Sequence, residues 1–158
     1  MVPSGTDETI CRIVTAYSSM LLRLASTRLT STADAEDAVQ EVFLKLLSTP
    51  ISFRDAEHEK AWLIRATLHR ACDIRRRTER TCIPLEEALQ VAAPETDTEV
   101  LSAVRSLPEK YSTVLHLHYY EGYSIKEIGT LLGLPAATVG TRLARGRKRL
   151  REMLKEEC

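Results

Sequence analysis

Long apolar runs are missing from this sequence. Nothing in it approaches the roughly 18 consecutive apolar residues that a membrane-spanning helix needs, and the N-terminus has no basic stretch followed by an apolar one of the kind that directs secretion. A cytoplasmic protein is the expectation. Cysteine is scarce: Cys11, Cys72, Cys82 and Cys158 form no CxxC pair and no regular framework, which argues for reduced thiols over disulfides. Aromatic residues make up only 5% of the chain, and glycine and proline number six each. Alternating, strand-like patterning is nearly absent, and the apolar residues recur at helical spacing. The fold class is therefore all-α.

Catalytic and metal-binding patterns are also lacking. No Ser-His-Asp set, glycine-rich phosphate loop or close carboxylate pair stands in a recognisable context, so neither an enzyme nor a cofactor is expected. His116 and His118 are two apart on a helix and point about 200° away from each other. His69 and Cys72 are three apart and could share an ion with Cys82, but no second compact ligand pair accompanies them, and no metal centre is expected.

What the sequence does have is sorted charge. Lysine plus arginine and aspartate plus glutamate each total 22 in 158 residues, so the net charge is zero. Lys60 to Arg80 nevertheless holds seven positive and two negative residues, Ile83 to Glu99 five negative and none positive, and Thr138 to Arg151 six positive and none negative. Two basic blocks flank an acidic one, which points to anionic partners at two separate places.

The helical pattern divides the chain in two. A first helix starts near Thr6 or Asp7 and carries Ile10, Val14, Tyr17, Leu21, Leu24 and then Arg28/Leu29, a run of i+3 and i+4 steps. A second follows a Ser31-Thr32 cap, turning Ala35, Ala38, Val39, Val42, Phe43, Leu46 and Leu47 inward and Asp34, Asp37, Gln40 and Glu41 outward. A third runs from about Ala56 to Arg77, with Trp62 read as core. Residues 81–96, "TCIPLEEALQVAAPET", hold two prolines, acidic charge and weak periodicity, and are read as a flexible acidic linker able to reach about 50 Å when extended. The expected organisation is a helical domain over 1–80, the linker, and a second helical domain over 97–158.

The second domain opens with a helix over Asp97 to Ser106, then one with Pro108 at its first position. In "YSIKEIGTLLGLPAATVGTRLARGRKRL", Ser124 and Glu127 have the spacing of a capping box, Gly133 supplies a left-handed turn residue and Pro135 opens the last helix. Helix, tight turn and basic helix together make a helix-turn-helix, whose second helix enters the major groove by its N-terminal part. That part offers Ala136, Ala137, Thr138, Gly140 and Thr141 before Arg142 and Arg145, with Arg147 and Lys148 following. Small side chains make few bidentate base contacts. Close backbone approach, methyl contacts and shape readout are expected there, with most affinity coming from phosphates.

Taken together, "DAEDAVQEVFLKL" (34–46), "AWLIRATLHRACDIRRR" (61–77) and "LPEKYSTVLHLHYYEGYSIKEIGTLLGLPAATVGTRLARGRKRL" (107–150) resemble, in this order, regions 2.2, 2.3–2.4 and 4 of the extracytoplasmic-function (ECF) group of the bacterial sigma-70 family. The resemblance implies an alternative sigma factor that binds core RNA polymerase and directs promoter-specific initiation. Asp37, Gln40 and Glu41 would then meet the clamp of the polymerase β′ subunit, and the β flap is a further implied part of the polymerase partner. Phe53 and Arg54 in the loop before the third helix, with Arg65, His69, Arg70, Arg76 and Arg77 on it, would bind the minus-ten element and its melted strand. Ala136, Thr138, Gly140, Thr141, Arg142, Arg145, Arg147 and Lys148 would meet the minus-thirty-five element. An anti-sigma factor is a further implied partner. The chain departs from the family's habit at His69, commonly asparagine, at Leu68, frequently basic, at Arg75, often aliphatic, and at Gly140, often lysine. Other readings are a two-domain helix-turn-helix regulator acting without polymerase and an adaptor that has lost DNA binding. The polar second helix and basic third helix disfavour the former, and the intact Arg142 to Arg151 cluster the latter.

Overall fold

The computed structural model describes residues 7–49, 51–81 and 99–156, and every regular element among them is helical. The chain forms two compact units, Met1–Val91 and Ala92–Cys158. The expected linker lies outside the described residues except for Thr81, which ends the third helix four residues beyond the expected Arg77.

The first unit packs α1 (Asp7–Ala25), α2 (Thr32–Ser48) and α3 (Ala56–Thr81) against one another. Its core takes Ile13, Leu21 and Leu24 from α1, Ala38, Val42 and Leu46 from α2, and Leu63, Ile64 and Ala71 from α3, all almost fully buried. The Ser31 hydroxyl accepts the Asp34 amide at 3.3 Å and starts α2 where expected. Two residues of the expected inward face sit differently. Phe43 is half-buried, and Leu47 is 45% exposed because it lies about a third of a turn off the buried stripe.

A charge pair fastens α1 to the start of α3. The Arg12 guanidinium donates to both carboxylate oxygens of Glu59, at 3.1 and 2.8 Å; the Glu59 side chain is 7% exposed, that of Arg12 56%. Burial, then the Glu59 charge, pushes the nearby Tyr17 phenol above its ordinary value, so it remains a neutral group beside the carboxylate. Arg12→Ala leaves the buried Glu59 carboxylate without its cation, with the Tyr17 phenol as a remaining hydrogen-bond partner. Because the guanidinium is half in solvent, the expected loss is about 2 kcal/mol, below that of a fully buried pair, with Arg12→Lys falling in between when read by urea unfolding.

The second unit contains α4 (Glu99–Ser106), α5 (Glu109–Leu115), α6 (Ile125–Leu132) and α7 (Ala136–Glu156). Pro108 stands at the cap of α5, one position before its expected place. A π-helical stretch, His116–Tyr120, continues α5 directly and closes with the Glu121 amide on the His116 carbonyl at 3.2 Å. His116 points inward, where it is 1% exposed and stacked 5.2 Å from the Tyr120 ring, while the His118 Nδ1–H donates to the Tyr123 carbonyl, 2.8 Å away. Val139 and Leu143 of α7 close the core over Val114, Leu115, Leu117 and Ile128.

Candidate nucleic-acid interface

The turn that aims α7 is fixed by local chemistry. Ser124 and Glu127 exchange hydrogen bonds at 3.1 and 3.0 Å, closing the capping box of α6 and holding the Glu127 carboxyl below its ordinary value. Gly133 ends α6 at φ +68°, a conformation other residues adopt at a cost. The Thr138 and Val139 amides bond the Pro135 carbonyl at 3.0 and 3.2 Å and start α7.

On α7 the expected contact residues divide between two flanks. Thr138, Thr141, Arg142 and Arg145 share a notch of about 370 Å³ with Ala137, Tyr111 and Lys110 of α5. Lys110 was not singled out in the sequence, since it lies on another helix and only folding brings it to the notch. The Arg149 guanidinium lies 4.9 Å from the Tyr111 ring centroid and the Lys110 ammonium 5.1 Å from it, so one aromatic ring orients two cations. The Thr141 hydroxyl donates back to the Ala137 carbonyl at 3.0 Å, leaving its methyl and lone pairs for a partner. Lys148 and Ala136 are exposed. Arg147 is on the opposite flank, where it donates to the Tyr119 hydroxyl at 2.9 Å beside an apolar groove of about 410 Å³ bordered by Val100, Val104, Tyr120 and Leu150.

Two glycines of α7 differ in their surroundings. A Cβ on Gly140 would meet nothing within 4 Å, whereas one on Gly146 would sit 3.0 Å from Leu115 Cδ1 and 3.2 Å from Tyr111 Cβ. Gly146 is therefore the residue that lets α7 approach α5, and Gly140 carries a helix penalty without a packing return. Gly140→Ala is expected to stabilise the unit by about 1 kcal/mol. Gly146→Ala is expected to destabilise it by a similar amount, because Tyr111 Cβ is fixed to its backbone and cannot rotate away. Thermal unfolding of the two variants checks the opposite signs.

In the first unit, Asp55 caps α3 by accepting the His58 amide at 2.8 Å, and His58 Nδ1 accepts the Arg54 amide at 3.1 Å. This pins the loop that carries Phe53 and Arg54. The Phe53 ring meets His58 edge-on at 5.4 Å and Trp62 at 5.9 Å. Trp62, expected in the core, is half-buried, at the edge of the helix packing with its ring beside Phe53 of this loop. The outcome is a small aromatic cluster at the head of a basic helix. Arg65, His69 and Arg76 follow one another at helical spacing on an exposed stripe of α3; exposed Arg77 and half-buried Arg70 stand to one side. Cys72, three residues after His69, accepts from Arg28 at 2.6 Å, and Cys82 lies outside the described residues.

The outer face of α2 is not purely polar. Asp37, Gln40 and Glu41 are exposed together with Leu44, at 61%, and Leu47. Spacings of three and four put all five on one side of the helix. Leu44 could have been found from that periodicity, since it continues the outward series rather than the buried one.

Residues 13–81 match the family described as "Sigma-70 region 2" and residues 97–150 that described as "Sigma-70, region 4". The ECF RNA polymerase sigma factor SigM of Mycobacterium tuberculosis is 32% identical, over 87% of this chain and 73% of its own length. The chain belongs to the ECF group of the sigma-70 family. ECF sigma factor SigW of Bacillus subtilis, 29% identical, covers 98% of this sigma factor and 94% of itself. Among solved structures, CnrH in complex with the cytosolic domain of CnrY superposes with a TM-score of 0.68 at 25% identity, over 98% of this chain and 93% of that one. An ECF sigma factor directs promoter recognition and transcription initiation and is not an enzyme. No helix of its described residues is long and apolar enough to cross a membrane.

Proposed function

We propose that this sigma factor works in the cytoplasm through three surfaces: α2 docks on the β′ clamp of core RNA polymerase, the 51–55 loop and α3 hold the minus-ten element, and α7 reads the minus-thirty-five element. The organisation into domains over 1–80 and 97–158, joined by a linker over 81–96, puts the α2 and α3 surfaces on one module and the α7 surface on the other, with a tether between them. The observation that carries this reading is the sorting of chemistry within the units: a mixed acidic and apolar face on α2, a basic stripe below an aromatic cluster on α3, and a cationic notch on α7.

Each surface has the chemistry its partner needs. Carboxylates around Leu44 and Leu47 combine steering toward a cationic partner with apolar area that can be desolvated, as protein interfaces require. Phe53 with Trp62 offers a stacking platform for an unstacked base, and Arg65, Arg76 and Arg77 offer phosphate partners. At α7, Arg142, Arg145 and Lys110 can bind phosphates while Thr138 and Thr141 approach base edges with methyl groups. The apolar groove beside Arg147 fits the β flap as a docking surface. An anti-sigma factor that covers such surfaces is a further partner, a reading supported by the likeness to CnrH, which was solved bound to the cytosolic domain of CnrY.

The test separates docking from DNA binding. The double variant Asp37→Lys and Glu41→Lys, and separately Leu44→Ser, should lose at least tenfold in retention on core polymerase while duplex binding through α7 stays unchanged. Full retention of these variants on core would remove α2 from the docking surface.

A further inference from the structure

Arg70 projects from α3 toward α2, unlike the cations of the exposed α3 stripe. Its Nε donates to Glu41 Oε2, and its Nη1 lies 3.8 Å from Asp73 Oδ2. The Arg70 side chain is 22% exposed, against 43% for Glu41. The pair spans a crevice of about 130 Å³ between the two helices, bordered by Lys45, Ala66 and His69. Asp73 continues the series toward Arg76 at 4.0 Å. An acid on the polymerase-facing helix and a cation on the strand-reading helix thus neutralise each other in the free protein.

We infer that Glu41 competes with the opened DNA strand for Arg70, so that polymerase docking at α2 turns the cation over to DNA. This rests on the reading of α2 as the docking face and α3 as the strand-binding face. The edge of a guanidinium that includes Nε is one it uses for bidentate contact with a phosphate, and in the free chain Glu41 occupies that Nε. A partner cation that engages Glu41 weakens its hold on Arg70 and leaves the guanidinium available. Because the exchange is an equilibrium, it acts in both directions: a strand bound at Arg70 frees Glu41 and tightens docking by the same factor.

The experiment measures binding of a fluorescent single-stranded oligonucleotide to the full chain without polymerase, by anisotropy at low salt. Wild type is compared with Glu41→Gln, Arg70→Gln, the double variant, and Glu36→Gln as a matched charge change at an exposed position elsewhere on α2. The inference requires Glu41→Gln to tighten binding by about two- to fivefold, the range of a partly exposed ion pair. It requires Arg70→Gln to weaken binding, and Glu41→Gln to have no further effect once Arg70 is gone. Glu36→Gln should change little. Equal tightening by Glu41→Gln with and without Arg70 would reduce the effect to general charge and overturn the competition while leaving α3 as the strand reader. If Arg70→Gln leaves binding unchanged in both backgrounds, the role of Arg70 at the strand fails and the competition fails with it.

Discussion

Replacing Arg142 and Arg145 together by alanine is expected to lower promoter-directed transcription by at least thirtyfold without changing the affinity of this sigma factor for core polymerase. Both side chains border the same notch, which Lys110, Thr138 and Thr141 also line. A hydrogen bond to a charged group such as a phosphate contributes about 1.5–3 kcal/mol, and each 1.4 kcal/mol is about a factor of ten in an equilibrium constant. Two contacts to the same element therefore exceed the stated factor unless the remaining cations compensate. The salt dependence of duplex binding should also flatten, since each lost phosphate contact removes close to one released counterion. Arg147→Ala is the internal comparison. Its guanidinium is engaged by Tyr119 on the other flank of α7, so duplex binding should change far less. A double variant with normal promoter activity would take α7 out of promoter reading.

The second large effect is expected from one added methyl group. Gly129→Ala in α6 would place a Cβ 2.7 Å from the Leu134 carbonyl oxygen and 3.7 Å from the Ala136 amide nitrogen. Both atoms are backbone, one in the turn between α6 and α7 and the other at the first residue of α7, so no side-chain rotation relieves the contact. The turn must open or the helices must shift, and the expected loss of stability is about 3 kcal/mol or more, confined to the second unit. Thermal unfolding should show an early transition for this unit, and duplex binding should be lost because α7 is no longer aimed by α6. Core binding through α2 should persist. An unchanged transition would mean that the tight packing of the turn at Gly129 has no energetic weight.

The sequence was readable where structure is decided by near neighbours. The Ser31 cap, the Ser124 and Glu127 capping box and the Gly133 turn each involve residues within a few positions of one another, and each formed as expected. Most of the buried stripe of α2, namely Ala35, Ala38, Val39, Val42 and Leu46, was readable too, because a 3.6-residue period identifies it without reference to a partner. What the sequence could not convey depends on which helices meet. Trp62 was read as core, although the 51–55 loop draws its ring toward Phe53. Leu47 was read as buried from its apolar character, although it sits at the edge of the α2 stripe. Nothing local to Gly146 reveals that Tyr111 and Leu115 will press against it, and nothing local to Arg147 reveals Tyr119 as its partner, 28 residues away. The π-helical stretch at His116–Tyr120 inserts one residue per turn without a compositional mark. Glu41 and Arg70 likewise read as members of two separate surfaces until α2 and α3 pack together.

The central claim, that this chain gives RNA polymerase a promoter it cannot otherwise use, is tested most directly by transcription in vitro with core polymerase, genomic promoter fragments and mapping of the RNA 5′ ends. Transcripts from discrete starts should appear only when the sigma factor is added and disappear with the Arg142→Ala, Arg145→Ala double variant. The same set of starts with and without the sigma factor would contradict it.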